Sequence, residues 1–132
     1  MIRILCVDDD LALLRLYRDE LAEEGYGVIL AKDGKEAVKK FDEQKPDLVI
    51  MDIRMPQMDG IETLNVILGK DRQVPVILNT AYVQYKENFM TWGAEAYVIK
   101  SSDLTELKEK IRDVLSQRKK GGAEEKKGVT MK

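Results

Sequence analysis

Three aspartates in a row, Asp8, Asp9 and Asp10, follow the apolar run Ile2-Arg3-Ile4-Leu5-Cys6-Val7, and a fourth, Asp52, follows the run Leu48-Val49-Ile50-Met51. Two more polar groups stand at the ends of apolar runs: Thr80 after Val76-Ile77-Leu78-Asn79, and Lys100 after Tyr97-Val98-Ile99. Acids brought together repel: at roughly 4 Å and an effective dielectric of about 20, a pair costs on the order of 4 kcal/mol. Such a group calls for a cation. All-oxygen donors favour a hard divalent ion, and Mg²⁺ typically takes one or two carboxylates together with waters and phosphate oxygens. An aspartate beside such an ion can accept a phosphoryl group as an aspartyl-phosphate. A lysine can neutralise the equatorial oxygens during that transfer, and a threonine hydroxyl can hydrogen-bond one of them.

These residues meet only if the runs that carry them are neighbouring strands of one sheet. Strand signals occur at 2–7, 27–31, 47–52, 75–79 and 95–99, and helical signals near 11–24, 35–44, 60–69, 84–92 and 103–118. Gly25 and Gly93 stand where helix C-caps belong, and Asp103 stands where the last helix needs an N-cap. Leu104, Leu107, Ile111, Val114 and Leu115 form a helical stripe with charges opposite. Strand and helix alternating with short links predict an α/β fold, a parallel sheet covered by helices on both faces. In such sheets the carboxyl ends share one rim, and sites form there.

The totals agree with one domain. The chain has 132 residues, 44% hydrophobic and 35% charged, with a net charge of −2. That is a globular balance with no basic field to attract nucleic acid. The apolar runs are too short to span a membrane, and the N-terminus enters a strand without a signal-peptide pattern. Cys6 is the one cysteine and reads as core, so a reducing cytoplasmic location is expected. There is no histidine, which removes the commonest general base and any phosphohistidine within the chain. From Gly121 onward the periodicity stops, so 1–118 reads as the domain and 119–132 as a flexible tail or linker remnant.

The series Val7-Asp8-Asp9, then MDIRMPQMDG at 51–60, then Thr80-Ala81, then Lys100 resembles the receiver domain of two-component response regulators, the chemotaxis-regulator-like family. The likeness covers residues 1–118. It implies a doubly wound, flavodoxin-like (βα)5 fold of three layers with five parallel strands in the order 2-1-3-4-5. It implies that Asp52 is the phosphoacceptor. Asp9 would hold Mg²⁺ directly, with Mn²⁺ as a substitute, Asp8 largely through water, and the backbone carbonyl of Arg54 would complete the protein ligands with Asp52. Lys100 would pair with the phosphoryl group. Thr80 and Tyr97 would form the switch pair, altering the face of the fourth helix, fifth strand and fifth helix. Arg54 and Tyr82 would tune access of water to the phosphoryl group, here toward slow self-dephosphorylation. The donor would be a phosphohistidine on a sensor histidine kinase or histidine phosphotransfer protein. The output would be a downstream protein or a further domain, and the chain would be a monomer or a phosphorylation-dependent homodimer. It would be a signalling switch and not a turnover enzyme, with no direct binding of nucleic acid or membrane.

Plainer readings compete with these. Asp10 reads as a helix N-cap, Gly60 as a residue serving the loop backbone, and Trp92, Phe89 and Met90 as packing residues. Asp8-x-Asp10 imitates the nucleophile motif of haloacid-dehalogenase-type Mg²⁺ phosphatases, but Ala12 stands where that motif wants Thr or Val. A receiver used only for docking is the other alternative. One departure concerns the residue after Lys100: the family has proline there with a cis bond, and here it is Ser101. A cis bond without proline costs about 2.5–4 kcal/mol.

Overall fold

The computed structural model describes residues 1–53, 59–85, 87–90 and 92–117. Five strands, β1 (Arg3–Val7), β2 (Gly27–Ala31), β3 (Leu48–Met51), β4 (Val76–Thr80) and β5 (Ala96–Ile99), pair in parallel in the order β2-β1-β3-β4-β5. Helices α1 (Leu11–Glu23), α2 (Gly34–Gln44) and α3 (Gly60–Lys70) connect them, and α4 runs over 105–117. The doubly wound α/β architecture and its strand order are those expected. Among the described residues no helix is long and apolar enough to cross a membrane.

The sheet is largely buried on both faces because its strands are mostly apolar, and their alternation divides them between two layers. Leu5, Val7, Val49, Met51, Val76 and Leu78 pack with Ala37 and Phe41 of α2 and Leu64 and Ile67 of α3. Ile4, Cys6, Leu48, Ile50 and Ile77 pack on the other side with Leu14, Tyr17 and Leu21 of α1 and Leu107, Ile111 and Val114 of α4. Cys6 is a core residue, and burial pushes its thiol well above the usual range, so it stays protonated. Lys108 meets Glu20 at 2.8 Å and Arg112 meets Glu24 at 3.0 Å, joining α4 to α1 at the surface.

Aspartates start the helices. Asp10 accepts from Leu13 N (3.2 Å), Asp33 from Glu36 N (2.8 Å), Asp59 from Glu62 N (2.8 Å) and Asp103 from Thr105 N (2.9 Å). Each satisfies an N–H that the first helical turn leaves without a partner. Gly25 and Gly93 both have φ of +93°, the conformation expected of them at the ends of helical segments.

Among the described residues the helix expected near 84–92 is not present as such. The described residues there form a 3-10 turn (Val83–Tyr85) and hydrogen-bonded turns at 87–90 and 92–93. Tyr82, Val83, Phe89 and Trp92 are aromatic or β-branched and lose side-chain freedom in a helix. Phe89 and Trp92 pack against the α2–α3 side of the core, as expected. Met90 does not: it is 73% exposed, because the short turns send it outward.

Candidate functional site

Register builds the site. Val7 pairs with Met51, so the next residues, Asp8 and Asp52, leave adjacent strands at the same level. Asp52 N donates to Val7 O (3.1 Å) and Asp8 N donates to Ala31 O (3.1 Å), which holds both backbones to the rim. Thr80 pairs with Ile99, and Lys100 N donates to Thr80 O (2.8 Å), so the lysine arrives from the far edge of the sheet.

Asp8, Asp9 and Asp52 each offer a carboxylate oxygen within 4.8 Å of the others. Asp8 and Asp52 are buried, at 1% and 5% exposure, whereas Asp9 faces solvent. Lys100 Nζ stands 2.8 Å from Asp8 Oδ2 and 2.8 Å from Asp52 Oδ2. Asp8 Oδ1 accepts from Asp10 N (2.9 Å), and Asp52 Oδ1 accepts from Ile53 N (2.7 Å). Burial pushes the Asp8 carboxyl above the usual range, and the neighbouring Asp52 charge adds to this. Lys100 and the Asp10 N–H pull the other way without prevailing. For Lys100 burial alone would lower the pKa, but hydrogen bonds and charge from Asp52 and Asp8 outweigh it and raise the ammonium above its usual value.

Among the described residues, three carboxylates against one lysine give an excess of two negative charges when all are ionised, 3 − 1 = 2. A divalent cation would neutralise that excess. The donors are all oxygen, with neither histidine nor thiolate among them, and Asp9 leaves one side open to solvent. The site therefore suits a hard divalent ion.

The remaining expected residues lie around this cluster. Thr80 is fully buried, and its Oγ1 accepts from Tyr82 N at 3.4 Å. Tyr97 is 8% exposed, packs its ring on Phe89 (centroids 5.8 Å apart), and donates its hydroxyl to the Tyr82 carbonyl. Arg54 lies outside the described residues. The Lys100–Ser101 peptide is trans, there being no cis bond among the described residues.

Two features beside the site add to the sequence reading, in which Gly60 serves the loop backbone and Asn79 has no role. Gly60 N donates to Ile53 O (2.6 Å), closing the loop after Asp52. A Cβ on Gly60 would collide with the Asp52 carbonyl oxygen and come within 2.7 Å of Ile53 Cα. The other is a buried bond from the Asn79 amide to the Tyr17 hydroxyl. Its one sequence signal is an asparagine inside an otherwise apolar strand.

Known proteins are similar to this chain in sequence and in fold. The transcriptional regulatory protein TrcR of Mycobacterium tuberculosis is 39% identical over 116 residues, which is 86% of this chain and 45% of TrcR. The chain thus spans about half the length of that relative. The response regulator TrrA of Thermotoga maritima, solved in complex with Mg²⁺-BeF, is 44% identical with a TM-score of 0.80, over 86% of this chain and 98% of TrrA. The same regulator solved in complex with the histidine kinase ThkA is 44% identical with a TM-score of 0.79, over 87% of this chain and 99% of that one. The family model described as the response regulator receiver domain matches residues 4–112. With acids, lysine and threonine converging on the carboxyl rim of a 2-1-3-4-5 sheet, this chain belongs to the response regulator receiver domain family, a signalling domain of two-component systems.

Proposed function

We propose that the chain is a phosphorylatable switch in which Asp52 accepts a phosphoryl group from a phosphohistidine on a separate protein. The observation that carries this reading is the single lysine held between Asp8 and Asp52 at 2.8 Å from each, with Asp9 alongside. An Asp52 carboxylate oxygen attacks phosphorus, the P–N bond breaks, and its electron pair stays on the departing imidazole. Mg²⁺, or Mn²⁺ in its place, would supply charge neutralisation for the phosphoryl oxygens. Asp9 would hold the ion directly, Asp8 largely through water, and Asp52 and the Arg54 carbonyl would complete the protein ligands. Lys100 would turn from the acids to a phosphoryl oxygen, and Thr80 would hydrogen-bond another.

Tyr97 and Thr80 form the proposed switch pair, which would bias the face expected of the segment near 84–92, β5 and α4 toward a partner. The absence of histidine from the chain, and the ThkA complex of the similar TrrA, support a histidine kinase or phosphotransfer protein as donor. The output, either a downstream protein or a further domain, and a monomer-to-dimer response belong to the same reading. So do a cytoplasmic location and a receiver over 1–118 followed by a tail over 119–132; residues 118–132 lie outside the described residues.

Incubation with Mg²⁺ and acetyl phosphate, read by intact mass, tests this. One phosphoryl group is expected on the chain and none on Asp52→Asn. Label on Asp8, with turnover of a phosphoester, would instead select the phosphatase alternative. No uptake with an intact fold would select the docking-only alternative.

Tyr82 is half-buried beside Thr80 and is read as a shield over the phosphoryl group. Tyr82→Ala is expected to shorten the aspartyl-phosphate half-life several-fold, measured by phosphate release. A lengthened half-life contradicts shielding.

A further inference from the structure

One polar pair stands inside the apolar layer between the sheet and α1. Asn79, 3% exposed, donates its side-chain amide to the hydroxyl of Tyr17, 1% exposed. Burying an amide and a phenol is costly unless they bond each other, and two apolar groups of the same shape would hold the layer about as well. Core stability alone therefore does not call for the pair, and its position points to another role.

Tyr17 is on α1, whose cap Asp10 follows Asp8 and Asp9 directly and donates its N–H to Asp8 Oδ1 (2.9 Å). Asn79 precedes Thr80 on β4, and strand alternation sends its side chain toward α1 while Thr80 lies on the other side. The Thr80 carbonyl in turn accepts the Lys100 N–H (2.8 Å). β3 lies between β1 and β4, so the bond bridges from the helix behind the acid pair to the strand end that carries Thr80.

We propose that Tyr17 and Asn79 are positioning residues for the phosphoryl site, their bond holding the carboxyl end of β4, and with it the Thr80 hydroxyl, in place relative to Asp8 and Asp9. This role rests on the receiver function proposed above. A hydroxyl that must meet a phosphoryl oxygen at hydrogen-bond distance loses much of its effect when its backbone drifts.

The test measures binding of beryllofluoride, a phosphoryl mimic, to the full chain with saturating Mg²⁺ by titration calorimetry, alongside thermal unfolding. Tyr17→Phe is expected to weaken beryllofluoride binding about fivefold, within the range of coupling seen for residues in one network. Tyr17→Phe with Asn79→Leu removes both polar groups. It is expected to regain thermal stability while its affinity stays low, and it carries the test if Tyr17→Phe alone does not fold. In a Thr80→Ala background, Tyr17→Phe should change affinity by less than about twofold, since the effect runs through Thr80. Wild-type affinity in the double variant would reduce the pair to a structural one and overturn the proposal, as would full additivity with Thr80→Ala. A wild-type chain that binds no beryllofluoride with Mg²⁺ would overturn the receiver function itself, and the positioning role with it.

Discussion

Lys100→Met is expected to slow phosphoryl uptake by Asp52 about 10²–10³-fold, the loss typical of removing one preorganised group that meets developing charge. In the metal-free chain it is also expected to cost about 3 kcal/mol at neutral pH, because it strands two buried carboxylates without their shared cation. The stability loss depends on pH. Asp8 titrates above the usual carboxylate value because of its burial, so its favourable contribution is present below the unfolded value and is lost as pH rises through the raised one. Removing Lys100 removes influences that pull Asp8 down, so the variant loses stability over a range that extends further upward. Lys100 titrates above its usual value, so its own contribution persists through neutral pH and fades only in alkali. Urea midpoints for the two chains should therefore nearly coincide in acid and separate toward neutrality, and Mg²⁺ should narrow the gap. A gap independent of both pH and Mg²⁺ would refute this account of the site.

Gly60→Ala is expected to destabilise the chain by about 3 kcal/mol or more, the class of loss reserved for strain against rigid backbone. The new Cβ would meet the Asp52 carbonyl oxygen and Ile53 Cα, neither of which can swing aside like a side-chain tip. Relief requires the loop after Asp52 to open, breaking the bond from Gly60 N to Ile53 O. Asp52 would shift with it, so Mg²⁺ affinity and phosphoryl uptake should fall together with stability. Gly69→Ala is the control on the same helix. Nothing lies within 4 Å of its Cβ position, and alanine there is expected to stabilise by roughly 0.5–1 kcal/mol. Equal unfolding midpoints for the two variants would refute the steric argument.

Much of this molecule was legible in its sequence because the informative signals are local. Largely apolar runs of three to six residues ending before Asp8, Asp52, Thr80 and Lys100 declared the strands, and strand alternation with helices declared a parallel sheet, whose carboxyl ends must share a rim. Asp10 and Asp103 announced helix starts for the same reason, since a cap acts within three residues. The segment near 84–92 was less legible: its pattern predicts a helix, whereas its described residues form short turns in the folded chain.

The sequence by itself therefore determined the fold class, the strand order through its family likeness, and that Asp8, Asp52, Thr80 and Lys100 stand at the carboxyl ends of strands. Only the tertiary structure decided how they engage. Lys100 divides itself between Asp8 and Asp52, Gly60 closes the loop after Asp52, and Asn79 finds Tyr17 from 62 positions away. These contacts depend on sheet register and on the distance between layers, quantities set by the packing of the whole core and carried by no short stretch of chain.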